Sequence, residues 1–294
     1  MTVHSIAQQG FGEGTNEVYD QARPSYQPSV LSYISQNIPK AKDHPLNVVE
    51  LGAGTGIFTR ALLAHSDLSS SIAEIRAVEP SKGMRNQFKK TVIDPRVNVD
   101  SKIKISIQDG SFTSTNIPSA WADVIFIAQA YHWAHPSYDA ASIEFARILK
   151  PSGVVVYVWN LENSDVSAGG AKWVASLRNL YEKYEGDSPQ FRLGLWRQTF
   201  DSNICPEYAR LFEGPIEESF QWWIPTTVEG VVQRVSSKSY IAVLEQESKD
   251  EYNKLVQNVK ELLRGEDVEK SWVDTEKGVF EYPYKSTVVV ARKK

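Results

Sequence analysis

Val48-Val49-Glu50-Leu51-Gly52-Ala53-Gly54-Thr55-Gly56 reads as a buried strand that runs into a glycine-rich turn and out into a helix. Residues 46–51 are a short apolar run that stops at the glycines, the pattern of a strand covered on both faces. Residues 57–64 then carry helical spacing, with Phe58, Leu62 and Leu63 apolar. Gly52 and Gly54 let the backbone pass close to a ligand where a Cβ would collide. Gly56 opens a helix whose first N–H groups carry partial positive charge.

Outward from this turn the chain alternates. Pro28 suits the first turn of a helix over 28–37, with Val30, Leu31 and Ile34 on one face. Strands are predicted over 72–78, 103–107, 123–128 and 154–159. Helices are predicted over 81–90 and in the stretch 143–149, which stops at Lys150-Pro151-Ser152-Gly153. Strand and helix in turn predict a parallel sheet with right-handed crossovers and helices on both faces. Ligands of such sheets bind at the carboxyl ends of the strands, near the topological switch point.

The second half is less regular. Residues 171–184 form an amphipathic helix, 186–215 are irregular and aromatic, and 219–224 read as a strand. One or two helices follow over 228–244, a long one over 247–263, and a β-branched strand over 284–291. Residues 1–14 show no apolar period and read as a flexible arm. The remainder, 15–294, reads as one domain: a ligand-binding core over 15–160, then a cap insertion and C-terminal strands over 161–294.

Composition narrows the function classes. The 294 residues carry a net charge of -4, which offers no basic field for a nucleic-acid backbone. The longest basic run is Arg292-Lys293-Lys294, read as a solvated end. One cysteine, Cys205, allows no internal disulfide. No signal-peptide core and no run long enough to span a membrane is visible, so a cytoplasmic protein is expected. Apart from His132 and His135 on one possible turn, the five histidines lack ligand spacing with acids or Cys, so no metal site is expected.

The glycine turn discriminates among cofactors. A phosphate-binding loop needs Gly-Lys-Ser/Thr, but Gly56 is followed by Ile57 and Phe58. A dinucleotide loop of the Gly-x-Gly-x-x-Gly kind, counted from Gly52, needs glycine at 57, which is Ile. It also has no use for an acid just before the loop, because a pyrophosphate is anionic. S-adenosylmethionine (SAM) is the reverse case, with a zwitterionic amino acid end and a cationic sulfur. Glu50 suits its ammonium group. Glu79, at the end of the second strand, can accept the ribose hydroxyls. Asp109 can accept from the adenine amine, and Gly110 can offer its backbone N–H. Met84 can pack on the adenine face. Ala128 and Gln129, at the end of the fourth strand, lie where the methionine portion should run.

With these positions in place, the chain resembles the class I SAM-dependent methyltransferases. Within them it is similar to the small-molecule group that includes trans-aconitate methyltransferase and its fungal relatives. The likeness rests on residues 48–56, Glu79-Pro80-Ser81, Gln108-Asp109, and the run from Asp123 to His132-Trp133. It extends to Tyr19-Asp20-Gln21-Ala22-Arg23-Pro24-Ser25-Tyr26 and to Ser236-Ser237-Lys238-Ser239-Tyr240. It covers 15–160 well and 161–294 in patches. After Asp109 this chain has Gly110, where the group often carries a small residue and then Glu. The resemblance implies a Rossmann-like, seven-stranded, mostly parallel sheet whose last strand, 284–291, runs antiparallel. It adds Ala53 and Pro80 to the cofactor contacts and Tyr19 to the substrate contacts.

Methyl transfer from a sulfonium is an in-line displacement, so the protein mainly positions two reactants. His132, beside the expected methyl group, reads as a general base or as a hydrogen-bond partner of an acidic substrate. Trp133 would wall the substrate pocket, with Arg23 and Tyr26 on a covering segment and Trp196 and Trp222 from the cap. Of Trp222 and Trp223, strand alternation turns one inward and the other outward to line the pocket. The expected activity is methylation of a small organic acceptor, foremost a carboxylic acid. The alternatives are N- or C-methylation of a secondary metabolite and non-catalytic SAM binding. No nucleic-acid or membrane partner is expected.

Overall fold

The computed structural model describes residues 16–40, 44–94, 102–265 and 268–294. The predicted arm, 1–14, lies outside the described residues. Two helices, α1 (Asn16–Ala22) and α2 (Pro28–Asn37), precede β1 (Leu46–Leu51). Next come α3 (Ile57–Ala64), the single turn α4 (Ser66–Ser69), β2 (Ile72–Val78) and α5 (Lys82–Phe88). The core continues with β3 (Lys104–Gln108), β4 (Ala122–Ala128), α6 (Tyr138–Ile148) and β5 (Leu149–Glu162). Then follow α7 (Lys172–Tyr181), α8 (Pro206–Leu211), β6 (Ile216–Thr226), α9 (Val228–Ser236) and α10 (Ser239–Glu247). The last elements are α11 (Lys249–Arg264), β7 (Trp272–Asp274) and β8 (Val279–Arg292).

The sheet order is β3-β2-β1-β4-β5-β8-β6, with the short β7 pairing β8. Strands β1 to β5 are mutually parallel, and β8 runs antiparallel between β5 and β6. The sheet is mostly parallel with helices on both faces, as predicted. It has one strand more than the seven expected, because β7 pairs at Phe280 beyond the end of β5. The chain winds outward through β1, β2 and β3, then returns to place β4 on the other side of β1. The switch point is therefore the gap beyond the ends of β1 and β4, where the glycine turn lies.

Alternation divides the sheet's side chains between two cores. Val49, Ile125, Ile127 and Val155 pack with Tyr138, Ala141 and Phe145 of α6. Val48, Val124, Phe126 and Val154 pack with Val30 and Ile34 of α2 and with Phe58 and Leu62 of α3. Every residue of β4 is buried, which its unbroken apolar sequence requires. A third core joins α7, α9, α10 and α11 around Phe280, Tyr282 and Tyr284 of β8. These helices form the cap, seated on the extended end of the sheet. Trp222 belongs to that core: it stacks on Tyr284 at 4.8 Å and donates to Ser286 Oγ at 2.8 Å.

Two readings of the sequence need correcting. The stretch 186–215 is not wholly irregular, since it holds short 3-10 turns and α8. The basic tail is not a solvated end. Lys293 Nζ donates to the carbonyls of Ala146 and Leu149 at 2.6 and 2.8 Å, capping the last turn of α6. Lys294 Nζ reaches the Ala209 carbonyl at 2.6 Å. Among the described residues, no helix is long and apolar enough to cross a membrane.

Gly56 has a packing duty. Its φ is +88°, and a Cβ there would collide with Val92 Cγ2 and stand 3.0 Å from Phe88. Gly56→Ala is expected to lower unfolding stability by about 2 kcal/mol. An unchanged midpoint in urea denaturation would refute this account of the turn.

Candidate active site

The turn after β1 is held open by backbone geometry. Gly52, Gly54 and Gly56 all have left-handed φ, at 69°, 56° and 88°. A Cβ on Gly52 would stand 2.5 Å from Ala130 Cβ, so the loops after β1 and β4 approach too closely for a side chain. Around Gly54 nothing lies within 4 Å of such a Cβ. The loop is stitched to the end of β2: Gly52 and Ala53 donate to the Val78 carbonyl at 2.8 and 3.3 Å. Gly54 donates to Glu79 Oε2 at 3.0 Å. Beside it lies a cavity of about 510 Å³, within the range for a cofactor-sized ligand.

Of the predicted cofactor residues, Glu50, Gly52, Ala53, Gly54, Glu79, Pro80, Met84, Gly110, Ala128 and Gln129 all line this cavity. Two do not. Gly56 stands behind the loop against Val92 and Phe88. The Asp109 side chain is 72 % exposed and pairs with Arg85 at 3.0 Å, so it does not face the space assigned to adenine. Arg85 also donates to the carbonyls of Glu79 and Pro80. Ser111, Phe112 and Thr113, which follow Gly110, line the cavity instead and were not anticipated. No sequence feature marked that step of a few residues.

The acids fit a cationic, hydroxyl-bearing ligand. Glu50 is buried; one oxygen accepts from Thr59 Oγ1 at 2.5 Å, and Oε1 has no partner among the described residues. Burial pushes its pKa up to about 8, against the pull of Thr59 and Arg60. An unsatisfied buried carboxylate in a cavity wall is matched by a ligand ammonium. Glu79 spends one oxygen on Gly54 and the other on the Ser81 backbone N–H at 2.8 Å. Its pKa is raised by burial, and both backbone bonds oppose the shift. Each oxygen keeps a second lone pair, so a ribose diol fits without breaking either bond. These residues suit SAM.

The N-terminal segment covers the cleft. Tyr19, Arg23 and Tyr26 line it, and Tyr26 meets Phe58 edge-on at 4.8 Å. Asp20, not anticipated from sequence, clasps α1 to the glycine turn. Its Oδ1 accepts from Thr55 Oγ1 at 2.5 Å and from Arg60 at 2.7 Å. On the other side Arg23 donates to the Ser237 carbonyl at 2.9 Å and lies over the Tyr19 ring.

A second, smaller cavity of about 70 Å³ adjoins the first; Tyr19, Arg23, Gln129 and Trp133 line both. It reaches into the cap as far as Arg234, Lys238 and Tyr240. Beneath it the buried Glu162 carboxylate lies 2.7 Å from Arg234 and 3.2 Å from Lys238. Burial alone would raise the Glu162 pKa, but Arg234 and Lys238 hold it well below the carboxylate range. Burial draws Lys238 down to about 7, opposed by Glu162 and assisted by Arg234 and Arg23. The other acids here, Glu182 and Glu185, are matched by Arg178 at 2.6 Å and Arg192 at 2.5 Å. Three cationic side chains thus share Glu162.

The remaining predicted residues divide. His132 lines the cap cavity, next to Trp133. Its Nδ1 accepts from Trp159 Nε1 at 3.3 Å, and burial with the Arg23 charge lowers its pKa to about 3. Trp196 lines neither cavity. It is packed at 4.5 Å against Trp159, with its indole N–H on the Phe191 carbonyl. Trp222 is in the cap core and Trp223 is 47 % exposed, so neither lines a pocket. The cap tryptophans are core residues because large flat side chains gain most from burial. Among the described residues, no group of three or more His, Cys, Asp or Glu could hold a metal.

Comparison with known proteins agrees with this geometry. A family profile described as "Methyltransferase domain" matches residues 49–157. An uncharacterized methyltransferase-like protein of Schizosaccharomyces pombe is 28% identical over 182 residues, 62% of each chain. This chain therefore spans less than two thirds of that relative's length. An uncharacterized methyltransferase of Mycobacterium tuberculosis is 25% identical over 222 residues, 76% of this chain and 74% of the relative. The crystal structure of the YcgJ protein of Bacillus subtilis shares the fold, with a TM-score of 0.52 and 18% identity. That superposition covers 91% of this chain and 99% of the other. With the switch-point cavity and its glycine turn, these matches support reading residues 49–157 as the methyltransferase domain of a SAM-dependent methyltransferase.

Proposed function

We propose that the chain transfers a methyl group from SAM to a carboxylate oxygen of a small organic acid. The observation that carries the acceptor class is the cap cavity: with its lining acids Glu182 and Glu185 matched by Arg178 and Arg192, Arg23, Arg234 and Lys238 outnumber the one remaining carboxylate, Glu162, beneath them. Buried cations in excess of buried anions call for an anionic guest. The shared wall at Gln129 and Trp133 lets such a guest present one end to the cofactor cleft.

When bound, SAM supplies a methyl group already activated on sulfur. Glu50 would take its ammonium group, Glu79 its ribose, and Pro80, Met84 and Gly110 would enclose its adenine. Arg23 and Lys238 would hold the acceptor anion, and the α1 segment would exclude water. An ionised carboxylate has no proton to lose on methylation, so the chain's contribution is placement and desolvation. Neutral His132 is consistent with that economy.

Incubation with methyl-tritiated SAM and a panel of small acids, amines and phenols tests the reading. A methyl ester releases volatile label in mild alkali, whereas N- and C-methyl products retain it. Label retained in alkali overturns methylation of a carboxylate, and SAM binding with no transfer to any acceptor favours a binding protein. Lys238→Met is expected to raise acceptor KM about tenfold, the worth of one charge-assisted hydrogen bond. Its SAM affinity should stay within about twofold, because Lys238 lies outside the cofactor cleft.

A further inference from the structure

We infer that Trp159 fixes His132 as a hydrogen-bond donor toward the acceptor, so that His132 selects and orients an anion and takes no proton from it. The inference rests on the carboxylate-acceptor reading and assigns the polarity of one residue within that site. An indole nitrogen can only donate. Its bond to His132 Nδ1, at 3.3 Å, therefore requires that nitrogen to be bare. In a neutral imidazole the proton then sits on Nε2. The ring is neutral because it is buried and faces the Arg23 charge.

Trp159 is well placed to enforce this. It stands on β5, wholly buried, with Trp196 at 4.5 Å and Phe191 at 4.8 Å from its ring. An indole clamped by such rings cannot swing away to release Nδ1. His132 itself sits in the 3-10 turn Tyr131–Ala134, its ring 5.1 Å from that of Trp133. Its Nε2 makes no hydrogen bond with a described residue. The cavity it lines already holds Arg23 and Lys238, so the N–H joins a set of donors. A general base would need a free lone pair there, and the only one is occupied. Trp159 thus acts as a positioning residue, and His132 as a determinant of acceptor specificity.

Two readouts test the inference. Nitrogen NMR of the protein labelled at histidine, with the His132 resonances identified by their loss in His132→Gln, should show the Nε2–H tautomer around neutral pH. Trp159→Phe should turn that signal into a tautomer mixture. In kinetics, His132→Ala should raise acceptor KM about tenfold while kcat moves less than about threefold, the mark of lost binding rather than lost chemistry. His132→Gln, whose amide N–H reaches a similar position, should restore most of the KM. An Nδ1–H tautomer in the unaltered protein overturns the inference. So does a collapse of kcat at unchanged KM with loss of the acidic limb of the pH profile. If Trp159→Phe fails to fold, the tautomer of the unaltered protein and the glutamine rescue decide the matter. An unaltered protein that transfers methyl only to amines or carbon removes the carboxylate reading, while the nitrogen spectrum still reports the tautomer.

Discussion

Glu162→Gln is expected to cost the folded protein about 3 kcal/mol at neutral pH, because breaking a buried pair strands its partners. The carboxylate is wholly buried and is the shared counter-charge of Arg234 and Lys238, with Arg23 close enough to feel it. Lys238, already drawn down to about 7 by burial, would relieve part of the strain by giving up its proton. Arg234 has no such exit. Urea denaturation of the two proteins measures the difference; a gap under about 1 kcal/mol would show that the cluster is solvated and would refute this account. The sign with pH follows from the depressed Glu162 pKa. Its stabilisation is full above the ordinary carboxyl range and fades as pH falls below it, because the unfolded chain takes up the proton first. The gap between the proteins should therefore close in acid.

The second large effect is at Glu50. Glu50→Gln is expected to weaken SAM binding about 100-fold, the worth of a buried charge-assisted bond to an ammonium. Isothermal calorimetry is the direct measurement, and an affinity within threefold would remove Glu50 from the ammonium's site. The pKa of about 8 adds a signature that a merely structural Glu would lack. Below that pH the empty site holds a proton that an arriving ammonium displaces. Binding should therefore release a proton near neutrality, visible as a dependence of the heat on buffer ionisation, and affinity should rise with pH until about 8. The stability of the free protein should move the opposite way. The unfolded carboxyl ionises near its ordinary value and the folded one only near 8. Free protein thus loses stability as pH climbs between those points, and Glu50→Gln should flatten the decline.

Strands β1 and β4 were legible as short apolar runs with a breaker at the end, and β3 by the alternation of Ile103, Ile105 and Ile107 with polar residues. The glycine turn was legible because three alternating glycines follow an apolar strand that carries Glu50, and their left-handed φ values account for that spacing. The cap was harder to read. Helices α7 and α9 to α11 could be seen as amphipathic segments, but which charges meet over Glu162 depends on contacts between β5, α9 and the turn before α10. Asp109 shows the limit on the site side: its place in the sequence is right for adenine, yet Arg85 draws its side chain outward. His132 shows another limit. Its position beside the cleft was foreseen, but the polarity of its ring depends on an indole 27 residues away on the next strand. Lys293 and Lys294 looked like a solvated end because no local pattern reveals that they cap α6 and touch α8.

The position of β8 bears on how the molecule is made. This strand lies inside the sheet, between β5 and β6, although both of those are synthesised before it. Until it emerges from the ribosome, the buried β5 has a bare edge and β6 has no neighbour to pair with, while the cofactor half, β1 to β5, is already complete in sequence. The nascent chain must therefore pass through a stage with a closed donor half and an open seam, the species most exposed to aggregation and to chaperone capture.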